Sequence, residues 1–205
     1  MRAFLSVALA LKLVFALEVG KVDEFSGKVD RLKRGEVRAV PIQTRNFPLL
    51  VGDIVRTKTE SSANLSFIDG NRVQLGPLSR LDVLEYQDAK RVNIPRGRVL
   101  FEITRLRAGQ GFEVRTPTAI LGVKGTRFLV DVTPSATLVR VFSGVVELSA
   151  ISDPNTRVLA TEGSIYSVTS LEVRRVDTLP LSRERAPLID IDNPPDPQVS
   201  PPCPR

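Results

Sequence analysis

The chain has no histidine and no tryptophan, one cysteine, one methionine and two tyrosines in 205 residues. Without histidine there is no imidazole base, no Ser-His-Asp triad and no histidine-ligated metal. The lone thiol, Cys203, excludes both an internal disulfide and a thiolate metal cluster. Few aromatics and no dense Lys/Arg tract leave single-stranded nucleic acid without stacking platforms or an electrostatic groove, so no nucleic-acid partner is expected. Apolar runs long enough to cross a bilayer, roughly 18 to 20 residues, are also missing.

What is present is a palette of Val, Leu, Ile and nine Phe, with many Thr and Gly, that suits strands. Residues 1–16 are read as a cleaved export signal: Arg2 gives a positive start, 3–16 is apolar except for Ser6 and Lys12, and Val14-Phe15-Ala16 offers a cleavage site. No stable transmembrane anchor is expected, and the protein is placed in the periplasm or outside the cell. Loss of this segment removes Arg2 and Lys12 and lowers the net charge from +6 to +4. Residues 17–178 are expected to form one all-β domain. Residues 179–205, with eight prolines and few core-type side chains, are expected to be a disordered tail.

Within the domain, turn residues recur every eight to twelve positions between short apolar-alternating runs. The spacing predicts strands over 22–31, 36–44 and 49–59, with a break at Phe47-Pro48 before the last, which turns at Gly52-Asp53. A hairpin is expected over 63–75 about Asp69-Gly70-Asn71, then strands over 81–86 and 91–94, the latter ending at Pro95. Further runs follow at 98–104, 112–116, 128–132, 138–142 and 145–148. A turn is expected at Asp153-Pro154-Asn155, a last hairpin over 157–168 about Glu162-Gly163, and a closing strand over 171–176. In 111–128, G-F-E-V-R-T-P-T-A-I-L-G-V-K-G-T-R-F, strands flank a bend. Pro117 ends the first, Gly122 and Gly125 are read as flanking a bend where a side chain would collide, and Thr126 bonds the local backbone.

Short strands of this kind close as a sandwich, a barrel or a stacked solenoid, and periodicity does not choose among them. The blocks V-G-D-I-V-R-T at 51–57, L-S-F-I-D-G at 65–70, G-R-V-L-F at 97–101, F-E-V-R-T-P-T-A at 112–119 and V-K-G-T-R-F at 123–128, with 139–146 around Gly144, together resemble the FecR domain family over about 49–168. The resemblance implies an extracytoplasmic domain of stacked short strands, β-solenoid-like, with a β-sandwich as the alternative. It also implies a signalling lineage. On this reading, Gly52, Asp53, Asp69, Gly70, Pro117, Gly122, Gly125 and Thr126 are structural motif residues.

The carboxylates Asp82, Glu85 and Asp88 near Tyr86 are read as a solvated face, and no enzyme, cofactor or metal is expected. The expected function is a non-enzymatic binding or scaffold module for an envelope protein or polymer. It would recruit its partner through an exposed sheet edge or through the basic residues Arg96, Arg98, Arg105 and Arg107. The alternative is a periplasmic signalling component working in trans with a membrane regulator or sigma factor system.

Overall fold

The computed structural model describes residues 17–104 and 111–176. The expected export signal, Arg105, Arg107 and the whole of the expected tail, Cys203 included, lie outside the described residues. Among the described residues there are seventeen strands and no helix, arranged as two sheets that face each other across one buried apolar cluster.

The chain alternates between the sheets. β1 (Glu18–Ser26) lies in the first sheet, β2 (Val29–Lys33) and β3 (Val40–Pro41) in the second, β4 (Phe47–Leu50) in the first and β5 (Asp53–Thr57) in the second. The hairpin β6 (Ser62–Phe67) and β7 (Arg72–Leu75) returns to the first sheet, and β8 (Arg80–Tyr86) to the second. Next comes β9 (Lys90–Glu102), the longest strand at 13 residues. After it the hairpin β10 (Phe112–Arg115) and β11 (Ala119–Val123) belongs to the second sheet, and β12 (Arg127–Val132) and β13 (Thr137–Ser143) to the first. The pattern repeats with β14 (Val145–Ala150) and β15 (Asp153–Thr161), then β16 (Ile165–Val168) and β17 (Val173–Val176).

β9 belongs to both sheets. Its first half pairs with β8 and β10 in the second sheet, and its second half pairs with β7 and β12 in the first. The strand orders are therefore β4-β1-β6-β7-β9-β12-β13-β16-β17 and β3-β2-β5-β8-β9-β10-β11-β14-β15, with β9 fifth of nine in each. Every pairing is antiparallel except β9 with β10. The sequence expectation ended a strand at Pro95, yet the strand continues. Pro95 and Gly97 lie at the corner where β9 changes sheets, so the missing N–H interrupts no continuous ladder. Gly97 has φ +99°, and a Cβ there would lie 2.4 Å from the Ser79 Cα.

Period-two alternation puts Val99, Phe101, Phe128, Val130 and Val132 into the core. An aromatic ladder crosses the core: Phe67 stacks on Tyr86 at 4.4 Å, Tyr86 meets Phe112 edge-on at 6.2 Å, Phe112 meets Phe101 at 6.1 Å, and Phe101 stacks on Phe128 at 5.0 Å.

Where the chain passes from sheet to sheet, backbone groups leave the ladder and need other partners. Buried hydroxyls supply them. Ser61 accepts from the Lys28 N–H at 2.9 Å, Thr57 donates to the Gly76 carbonyl at 2.7 Å, and Ser79 accepts from the Arg98 N–H at 3.0 Å. Thr126 donates to the Val145 carbonyl at 2.9 Å.

Four further expectations are corrected. Residues 22–31 are two strands, split at Gly27 because the chain changes sheets there. Pro48 does not break a strand: it sits in β4, an edge strand, where a ladder donor is dispensable. Asp153-Pro154-Asn155 opens the edge strand β15, and the turn falls at 151–152. Residues 157–168 form no hairpin, since β15 and β16 lie in different sheets.

Candidate functional site

The outer face of the second sheet carries a row of side chains in register, running Glu85, Arg91, Glu113, Gly122, Glu147 and Leu159. On one side of Gly122 the charges neutralise one another: Arg91 bonds Glu85 at 3.2 Å and Glu113 at 2.8 Å, and Arg115 bonds the same Glu113 oxygen at 2.6 Å. On the other side Arg157 donates to Glu147 at 2.6 Å. Gly122 leaves a gap between these walls. The result is a groove of about 760 Å³, with Ile120 and Gly122 on its floor and Lys124 and Val145 toward one end. Lys124 has no ion-pair partner among the described residues.

The expectation that a side chain at Gly122 would collide is corrected here. The residue lies inside β11, its φ is not positive, and a Cβ would meet only the Glu147 side chain, at 3.6 Å. The fold leaves room for a side chain that the sequence does not supply. A glycine within a strand costs roughly 0.5–1 kcal/mol relative to alanine.

The other motif residues hold the frame. Gly52 has φ +87° between β4 and β5, and Gly125 has φ +62° between β11 and β12. Asp53 is 1% exposed, accepts from the Leu50 N–H at 2.9 Å and is bound by Arg31 at 2.8 Å. Pro117 stands in the β10–β11 turn among buried hydroxyls. Thr116 and Thr118 each lie 2.7 Å from the Thr137 oxygen, and Thr118 donates to the Val168 carbonyl at 2.9 Å. These bonds tie the second sheet to the first.

Asp69 does more than close its own turn before Gly70. Its carboxylate takes the Asn71 side-chain N–H at 2.9 Å, the Tyr86 hydroxyl at 3.1 Å and the Lys90 ammonium at 2.5 Å. Burial raises the Tyr86 phenol well above its ordinary value; the Asn71 bond opposes the rise and the charge of Asp69 adds to it.

Of the basic residues singled out in the sequence, the two described, Arg96 and Arg98, lie in different sheets. Arg96 is exposed at the corner of β9, beside Arg80 in the second sheet. Arg98 lies on the outer face of the first sheet, with two bonds to Asp131 at 2.9 and 3.2 Å. Asp82 and Glu85 are held by Arg80 and Arg91. Sequence reasoning missed the groove because its walls are assembled from β9, β10, β14 and β15. The one local signal was a glycine in an alternating run with no turn residue beside it.

Comparison with known proteins fits this geometry. Residues 53–147 match the family described as FecR protein. Two crystal structures of a provisionally assigned anti-sigma factor from Parabacteroides distasonis ATCC 8503 share the fold, each with a TM-score of 0.53, at 20% and 21% identity. Each match covers 60% of this chain and 58% of the other, so less than two-thirds of those proteins is represented. No curated protein matches the chain. The matched segment runs from β5 through β9 to β14 and supplies most of the groove, and it is over residues 53–147 that this chain is similar to the FecR family.

Proposed function

We propose that the chain is a non-catalytic, regulatory binding module of the FecR type, acting outside the cytoplasm, with its partner seated in the groove over β11. The observation that carries this reading is the gap at Gly122 between two self-neutralised charged walls. Such walls cost little to desolvate, because each carboxylate already has its guanidinium. Their polar groups can still register an extended polar chain. The position sits on a rigid sheet face, and an accepted cost in strand stability at Gly122 supports a binding role. The apolar run of 1–16 supports export.

The groove gives a direct test. Gly122→Val restores a β-branched side chain at a position with room for it, and is expected to raise stability by about 0.5–1 kcal/mol. The same change fills the floor of the groove and is expected to abolish capture of the partner from envelope extract. Unchanged capture by the more stable variant would remove the groove from consideration.

The second reading, a signalling component acting in trans, is favoured by the fold shared with the provisionally assigned anti-sigma factor. Recovery of a sigma-factor regulator or a TonB-dependent transporter in that capture selects it. Recovery of glycan or surface-layer material selects the scaffold reading.

A further inference from the structure

The floor of the groove over β11 is laid out in steps. Ala119, Leu121 and Val123 point into the core, so Ile120, Gly122 and Lys124 follow one another on the outer face. They offer in turn a half-buried apolar side chain, a gap and an exposed cation, at intervals of roughly 6.7 Å. An extended peptide sets the side chains of one of its faces at the same interval. β11 is already paired on both sides, with β10 and β14. A peptide laid along it finds no free ladder groups and is read through side chains alone.

The surroundings of each step say what fits it. Around the gap at Gly122, Val145 and Leu159 are 44% and 62% exposed, and Arg91, Arg115 and Arg157 line the walls. An aromatic side chain suits this place, because it covers exposed apolar surface and stacks on guanidinium groups. At the next step, Thr126 fixes the backbone by donating to the carbonyls of Lys124 at 3.3 Å and Val145 at 2.9 Å. The three wall arginines each have a carboxylate, whereas the Lys124 ammonium has none among the described residues. Asp88 lines the same end of the groove from the β8–β9 turn. It stands two strands away, roughly 10 Å, a distance at which about 0.1 M salt screens its repulsion of an anion held by Lys124.

We infer that the partner of the groove is an extended peptide read at alternate residues, with an aromatic side chain in the gap at Gly122 and a carboxylate two residues along at Lys124. This inference rests on the groove being the binding site, and it adds the chemistry of what is bound there.

The test is calorimetric titration of the full chain with three probes: the end-capped peptides Ser-Asp-Ser-Phe-Ser-Asp-Ser and Ser-Lys-Ser-Phe-Ser-Lys-Ser, and alginate, an acidic glycan. An acid on each side of the phenylalanine serves either chain direction. The wild type is expected to prefer the acidic peptide by about tenfold. Lys124→Glu should reverse that preference, which also shows the variant to be folded, and Gly122→Val should abolish binding of both peptides. A preference left unchanged by Lys124→Glu, with binding still lost in Gly122→Val, overturns the inference and leaves the groove as the site. Peptide binding that survives Gly122→Val overturns both. Failure of the wild type to take either peptide overturns the inference, and uptake of alginate in their place assigns the groove to a sugar chain.

Discussion

Tyr86 joins the two sheets through its ring and its hydroxyl at once. The ring stacks on Phe67, and the hydroxyl donates to Asp69 while accepting from Asn71 at 3.1 Å. Its folded pKa lies above the unfolded value of about 10, so the folded state holds the phenolic proton more tightly. The stabilisation from this proton is complete below pH 10 and is lost as the pH rises above it, by at most about 1.4 kcal/mol per pH unit. Tyr86→Phe keeps the stack but strips partners from Asp69 and Asn71, and is expected to cost about 1–3 kcal/mol at pH 7. Above pH 10 the gap between variant and wild type should narrow. Thermal melts of both proteins between pH 8 and 11 check this, and parallel curves would show that the phenol does not govern alkaline stability.

Sheet ends are the exposed backbone of the fold, and the described edges are guarded. β4 carries Pro48, β3 ends in Pro41, β15 carries Pro154, and β17 presents Arg174 and Arg175. Each device hinders a foreign strand from adding on, which argues against recruitment of a partner through an edge. Pro154→Val restores an edge donor and is expected to promote self-association, seen as a concentration-dependent shift in light scattering after gel filtration. A variant that stays at the wild-type size up to high concentration would show that the proline is incidental.

The sequence was clearest where a feature lies within a single element. The 62–75 hairpin has the alternation read from it, with Ala63, Leu65, Phe67, Val73 and Leu75 all buried. Sheet membership was not legible, because a crossing and a hairpin use the same residues. Gly27 and Gly163 mark crossings whereas Gly70 marks a hairpin turn, and all three have positive φ. The groove was illegible for the same reason. Arg91 and Glu147 become neighbours of one hollow only once two hairpins lie side by side.

At the scale of the whole molecule, β9 makes one body of what could be two halves. Strands β1 to β8 lie on one side of it in both sheets, and β10 to β17 lie on the other. Its corner is tightly built, since Gly97 is pressed against Ser79 and Ser79 accepts from the Arg98 N–H. Gly97→Ala combines a left-handed backbone with a backbone collision, and is expected to cost about 3 kcal/mol or more. Hydrogen exchange should then accelerate together in β5 and β14, far apart along the chain. Loss of protection confined to one half would show that the halves unfold separately.

The doubly used strand also sets an order of events at synthesis. By residue 102 the first half has all of its strands, and β9 closes both of its sheets at once. Until β10 and β12 emerge, that single strand displays an open edge in each sheet, and neither the Pro95 nor the Gly97 corner covers the ladders on either side. The nascent half-molecule is thus a template with two growing faces. A delay after residue 102 is the interval in which it is most apt to pair with a neighbour.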